Sequence, residues 1–199
     1  MKEKVCIVLV NFMGHSDTIE CLESLLKSTY KEFQTIIVDN SPGEESLNEI
    51  VNWAEGKATH IRTQFSHLTE PNALKPIPYR FLMEKEVASG LWLYKEKIIL
   101  IKSNSNKGFA GGNNLAMRLA LCDNDLRYVW LLNNDTVVEP DTLERLVKFA
   151  PQTAAGMIGC KLLYYYNPST IQAIGGRYNP WFGQVKEVGT GKPDTADFD

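Results

Sequence analysis

Four short apolar runs recur along the chain, each bounded by polar positions: "VCIVLV" (5–10), "TIIV" (35–38), "KIILI" (97–101) and "YVWLL" (128–132). A fifth, weaker run is "AGMIGC" (155–160). Continuous β-branched runs of this length predict strands covered on both faces, as in parallel sheets. Helical spacing fills the intervals. In "SDTIECLESLLKSTY" (16–30), Ile19, Leu22, Leu25, Leu26 and Tyr30 share one face, and Asp17 with Glu20 has the form of a capping box. In "NNLAMRLAL" (113–121), Leu115, Ala116, Leu119 and Ala120 form another face. Pro140 suits a first helical position, and Leu143, Leu146, Val147 and Ala150 follow at helical spacing. The β-α-β-α-β-α-β order predicts an α/β fold: a Rossmann-like, mainly parallel sheet flanked by helices.

Residues 52–96 break this rhythm. The segment holds Pro71, Pro76 and Pro78, the aromatics Phe65, Tyr79, Phe81, Trp92 and Tyr94, and the histidines His60 and His67. A structureless loop of this length is unusual in a compact domain, so the segment reads as an insertion with local structure, including a short helix across 81–88. The stretch after residue 160 is rich in Gly, Pro and aromatics and predicts short strands and turns. The chain stops on "DTADFD" with neither helix nor strand to close it, which suggests a portion of a longer protein.

Composition narrows the classes. The 199 residues suit one domain with a sizeable core, and 44% are hydrophobic against 23% charged. With 21 basic and 24 acidic residues and no basic run, nothing marks a nucleic-acid footprint. No stretch is apolar enough to span a bilayer. Cys6, Cys21, Cys122 and Cys160 are widely spaced, with no Cys-x-x-Cys pair. They read as reduced thiols of a cytosolic protein, not as a disulfide frame or zinc site.

The candidate chemistry gathers at the strand exits. The first strand leads into Asn11-Phe12, the second into Asp39-Asn40-Ser41, the third into "SNSNKGFAGGNN" and the fourth into Asn133-Asn134-Asp135. Open parallel sheets bind ligands outside the carboxyl ends of their strands. Each exit alone is compatible with ordinary turn chemistry, but four in succession point to a site. Asp39 can accept hydrogen bonds from a base or ribose, or form an Asx turn before Ser41. Phe12 can stack on a base or pack beneath the loop. The "NKGFAGGNN" loop (106–114) leads into a helix, where glycines permit close backbone approach and the helix N-terminus favours an anion. It matches neither the Walker pattern nor the dinucleotide fingerprint. Placed between Asp39 and Asp135, it suggests a nucleotide diphosphate. Asp135 is the one carboxylate of its tripeptide. With diphosphate oxygens and waters it can complete the shell of Mg²⁺ or Mn²⁺. Asn133 can reach ribose, phosphate or a metal-bound water; alternatively Asn133 and Asn134 form a turn and Asp135 helps to cap the following helix.

Taken together, "IVLVNFMGHSDTIECLESLLKSTYKEFQTIIVDNSP", "NSNKGFAGGNN" and "WLLNNDTVVEPDTLERLV" resemble glycosyltransferase family 2, most closely its rhamnosyltransferase-like branch. "YYYNPSTIQAIGG" resembles the segment after that family's fifth strand. The resemblance implies a GT-A fold and a metal-assisted, inverting hexosyltransferase. The donor would be a nucleotide-diphosphate sugar, a UDP- or dTDP-sugar such as dTDP-rhamnose. A saccharide or lipid-linked acceptor of the cell envelope, at the inner face of the membrane, would complete the picture. Val10, Phe12 and Asp39 would surround base and ribose, with Asn11 and Asn40 beside them. Asn106, Gly108, Gly112 and Asn113 would lie near diphosphate and sugar. "NND" would occupy the family's Asp-x-Asp position, departing from it at Asn133. No acceptor-side Glu-Asp motif precedes Asp199, so the general base is expected beyond it. Asp194, Asp197 and Asp199 lie in a polar tail unsuited to that role. The chain would then bind donor without completing transfer. The alternatives are a non-catalytic nucleotide-sugar-binding module and a sugar nucleotidyltransferase, whose Gly-rich, Arg-containing first loop "NFMGHSDT" does not match.

Overall fold

A computed structural model of the chain describes residues 3–58, 62–87 and 95–195. His60, Trp92, Tyr94, Asp197 and Asp199 lie outside the described residues. The chain divides into two compact units, Met1–Glu144 and Arg145–Asp199.

The first unit is built on five parallel strands: β1 (Lys4–Asn11), β2 (Phe33–Asp39), β3 (Tyr79–Met83), β4 (Ile98–Lys102) and β5 (Leu126–Leu131). Their order across the sheet is β3-β4-β2-β1-β5. Helices α1 (His15–Leu26), α2 (Glu45–Ala54) and α5 (Gly108–Ala120) flank it, with single turns α3 (Ser66–Thr69) and α4 (Glu84–Val87). Strand alternation sorts the packing. Cys6, Val8, Ile36, Val38, Ile99 and Ile101 pack with Leu115, Ala116, Leu119 and Ala120 of α5. The intervening residues Ile7, Leu9, Ile37 and Leu100 are fully buried on the opposite face, where α1 and α2 lie. Burial on both faces explains why β1, β2 and β4 read as unbroken apolar runs.

Several expectations need correction. The glycine-rich stretch is not a loop before a helix: α5 starts at Gly108, so Gly111 and Gly112 lie in its first turns. The segment expected to hold a helix across 81–88 first supplies β3, the parallel edge strand, and turns helical only at Glu84. Residues 52–54 belong to α2. Asp17 and Glu20 form no capping box, because α1 starts at His15 with Gly14 as N-cap and no side-chain cap. That helix ends at Leu26, which leaves Tyr30 outside it. Pro140 precedes α6 (Thr142–Phe149) instead of opening it. The weak run at 155–160 forms no strand; its small residues Ala155, Gly156 and Gly159 offer little to pack on a pleated surface.

The second unit contains two antiparallel pairs, β6 (Leu162–Tyr164) with β7 (Asn167–Ala173) and β8 (Gly175–Asn179) with β9 (Gln184–Val188). Ile171 is its buried centre. Asp194 pairs with Lys161 at 2.8 Å. Among the described residues, no helix is long and apolar enough to cross a membrane.

Candidate functional site

The parallel arrangement brings the carboxyl ends of all five strands to one edge. There a row of polar residues crosses the sheet in register: Asn11 opposite Asp39, and Asp39 opposite Lys102. Alternation turns all three toward α1 and α2. Asp39 is fully buried, and both its oxygens are engaged. Oδ1 accepts from Asn11 Nδ2 at 2.7 Å, Ser41 Oγ at 2.6 Å and Ser41 N at 3.3 Å. Oδ2 accepts from Lys102 Nζ at 2.7 Å. Lys102 also donates to the carbonyls of Ser41 and Gly43, each at 2.6 Å. A buried charge is tolerated only when paired and hydrogen-bonded, and this pair is both. The row therefore fixes the turn at residues 40–43, and the Asx turn at Ser41 forms as one of its bonds. Beyond β1, Phe12 is half-exposed and Met13 adopts φ 55°, sparsely populated for a residue with a side chain, while its N–H donates to Ser41 Oγ at 2.9 Å.

The exit of β5 is held from beneath by one stripe of α1. Thr18 Oγ1 accepts from Asn134 Nδ2 at 2.9 Å and donates to Asn11 Oδ1 at 3.0 Å. One turn on, Cys21 Sγ contacts Asn133 O at 3.9 Å, and Thr136 Oγ1 donates to the same carbonyl at 2.7 Å. Ser24 Oγ then accepts from Val138 N at 3.1 Å. Residues 18, 21 and 24 recur at helical spacing and cradle residues 133–138 along their length. Burial pushes the Cys21 thiol up to about 12, so it sits there as a neutral donor. Asn133 and Asp135 are exposed, and no hydrogen bond or ion pair among the described residues occupies the Asp135 carboxylate.

Helix α5 faces the same edge with its N-terminus. A Cβ on Gly112 would lie 2.9 and 3.0 Å from the Val10 methyls and 3.1 Å from Asn40 Nδ2, so only glycine lets the helix approach β1 this closely. Asn40 Nδ2 donates to Gly108 O at 3.0 Å, and Asn113 Nδ2 to Phe109 O at 3.0 Å. Among the described residues, the amide oxygens of both find no hydrogen-bond partner in their buried positions. Buried acceptors are nearly always satisfied, so these two amide oxygens near the N-terminal turns of α5 stand out. Exposed Asn106 accepts from Gly108 N at 2.8 Å, and Gly108 has φ +65°. The loop before α5 is clamped by Glu84. Its carboxylate accepts from Asn104 N at 2.8 Å and Ser103 Oγ at 3.2 Å, and pairs with Lys107 Nζ at 3.0 Å. Partial burial raises the Glu84 pKa, but those donors outweigh it and hold the group below the usual glutamate range.

Thus contacts run from Val10 and Gly112 through Asn40 to Gly108, and from Asn40 through Asn11 to Asp39; Asn134 joins them through Thr18, Asn113 bonds Phe109 O within α5, and Phe12, Asn106, Asn133 and Asp135 are exposed. The edge carries a helix N-terminus, two amide oxygens without a partner among the described residues, and the exposed Asp135 carboxylate. Among the described residues, no cluster of three His, Cys, Asp or Glu can hold a metal alone. A single exposed carboxylate fits a hard cation that draws its other ligands from phosphate and water. Sequence reasoning missed Thr18, Cys21, Ser24, Lys102 and Glu84. The signal for the first three was present: small polar residues at i, i+3 and i+6 in a helix otherwise ordered by leucines.

The sequence model of glycosyl transferase family 2 matches residues 84–195, more than half the chain. No curated protein sequence matches. Among solved structures, that of Staphylococcus aureus TarS 1–349 is similar at 13% identity and a TM-score of 0.42, over 75% of this chain and 32% of that one. The chain thus spans about a third of that structure's length.

Proposed function

The chain belongs to glycosyl transferase family 2, and from that premise we propose that its strand-exit edge binds the nucleotide diphosphate of a sugar donor together with a divalent cation. The observation that carries this reading is the pair of orphaned buried acceptors, Asn40 Oδ1 and Asn113 Oδ1, at the N-terminal turns of a glycine-bearing helix. The N-terminal turn of α5, where the Gly108 N–H already donates to Asn106, suits the diphosphate through its remaining N–H groups and the helix dipole. The Asn40 and Asn113 oxygens suit hydroxyl or ring N–H donors, and exposed Phe12 offers an apolar face to a base. Asp39 acts through its partners: it sets Asn11, Ser41 and Lys102, and so the shape of the pocket wall. Asp135, with Asn133 beside it, would hold Mg²⁺ or Mn²⁺, which neutralises charge on a departing diphosphate.

The reaction is inverting transfer. An acceptor hydroxyl attacks the anomeric carbon, the bond from that carbon to the diphosphate oxygen breaks, and the hydroxyl proton passes to a general base. The residues described here serve the leaving-group side of that exchange, by binding and stabilising the diphosphate. A dTDP- or UDP-sugar, with dTDP-rhamnose first, and a saccharide or lipid-linked acceptor at the inner membrane face are the substrates we propose. Calorimetry with UDP and dTDP, each with and without Mn²⁺, tests the reading. Binding that strengthens with metal is expected, and no binding of either nucleotide would overturn it.

A further inference from the structure

Four strand exits contribute to the site, and among the described residues one side chain, Thr18, links the exit of β5 to that of β1, and through Asn11 to that of β2, by hydrogen bonds on both sides. Thr18 is fully buried. Its hydroxyl accepts from Asn134 Nδ2 at 2.9 Å, and its single proton is shared between Asn11 Oδ1 and Gly14 O, each at 3.0 Å. Asn11 continues the chain through Nδ2 to Asp39 Oδ1 at 2.7 Å and to Ser46 Oγ of α2 at 2.9 Å. Asp39 ends it on Lys102. The path runs from the residue beside Asp135, through α1, to the turn at residues 40–43. A valine in place of Thr18 keeps the shape and removes every one of these bonds at that node. Gly14 fits the same arrangement: a Cβ there would stand 3.3 Å from Asn134 Nδ2.

We propose that Thr18 is a positioning residue that couples the cation-binding exit of β5 to the nucleotide-binding exits of β1 and β2. The inference rests on the donor-site reading above. Thr18 touches neither ligand. It holds Asn134, and with it the backbone that presents Asp135, in one arrangement with Asn11 and Asp39. Coupling between two ligands is the factor by which one changes the affinity of the other, and it is reciprocal. In the wild type, part of that factor comes from the shared arrangement, because nucleotide ordering the β1 and β2 exits also orders the β5 exit. Without the Thr18 hydroxyl each exit orders independently.

The test is calorimetry of UDP on the full 199-residue chain, with and without saturating Mn²⁺. It compares wild type, Thr18→Val, Thr18→Ser, Asn134→Ala, the Thr18→Val/Asn134→Ala double variant, and Ser24→Ala. The metal-induced gain in UDP affinity should fall about fivefold or more in Thr18→Val, in line with typical coupling strengths. Metal-free UDP affinity should change little. Thr18→Ser should restore the gain. Asn134→Ala removes the other end of the same bond and should reproduce the loss, and the double variant should lose no more than either single. Should Thr18→Val fail to fold, Thr18→Ser and Asn134→Ala decide the matter. Ser24→Ala cuts a bond of the same stripe farther along and should lower thermal stability without altering the gain, which separates coupling from mere support. A Thr18→Val gain within twofold of wild type, beside a wild type that shows metal-enhanced binding, would overturn this inference alone. A wild type that binds no UDP would overturn the donor reading, and this inference with it.

Discussion

The approach of α5 to the sheet at Gly112 makes a prediction whose sign is decided by magnitudes. Gly112→Ala puts a methyl 2.9 and 3.0 Å from the two Val10 methyls. Val10 lies on the central region of the sheet, is 8% exposed, and is β-branched, so its side chain has no alternative rotamer at low cost. Overpacking of this kind costs about 1–3 kcal/mol. Against it stands the helix propensity of alanine, which favours the change by about 1 kcal/mol at an interior helical position. The balance is destabilisation of about 0–2 kcal/mol, a drop in Tm of a few degrees at about 2–4 °C per kcal/mol for a chain of this size. The third neighbour, Asn40 Nδ2 at 3.1 Å, ties the clash to the site, so nucleotide affinity should fall as well. Thermal and urea unfolding of Gly112→Ala, Val10→Ala and the double variant separate the terms. Val10→Ala removes the crowding methyls, so the double variant should be more stable than the two single losses predict, by about the overpacking cost. Additivity within about 0.5 kcal/mol would refute the close approach. So would a Gly112→Ala protein more stable than wild type.

Lys102→Met leaves the buried Asp39 carboxylate without its cation and should cost about 3–5 kcal/mol in urea unfolding; a loss below about 1 kcal/mol would contradict the pairing. Glu84 titrates below the usual glutamate range when folded. Its unfolded form therefore binds more protons, and its stabilisation holds above that range and fades as pH falls through the lowered folded value. Glu84→Gln should flatten the loss of urea stability between about pH 5 and pH 3, and an unchanged slope would remove the clamp. Cys6 and Cys21 are buried, with thiols pushed up to about 12 by that burial, whereas Cys122 is exposed. Alkylation of the native protein near neutral pH, read by peptide mass spectrometry, should mark Cys122 first and spare Cys6 and Cys21; early marking of Cys21 would contradict its packing beneath Asn133.

What could be read from the sequence follows from burial. β1, β2 and β4 announce themselves because both faces are covered and their central runs are apolar. β3 does not: "YRFLM" is an edge strand with Arg80 and Phe81 exposed, in a proline-rich stretch, so neither alternation nor a continuous run stands out. The capping box at Asp17 and Glu20 was a pattern without its geometry, since the helix starts earlier, at His15. The strand-exit residues were legible as a set because parallel strands send them to one edge. Their division of labour was not. Asp39 gives no sign in sequence of being sealed by Lys102, which lies 63 positions away. The orphaned oxygens of Asn40 and Asn113 follow from contacts that only the folded helix creates.

The central claim is that nucleotide and metal bind as one unit around Asp135. Its most direct test is calorimetric titration of UDP and dTDP into wild type and Asp135→Ala, with and without Mn²⁺. The account predicts metal-enhanced binding in the wild type and metal-independent, weaker binding in the variant. Equal metal enhancement in both would contradict it.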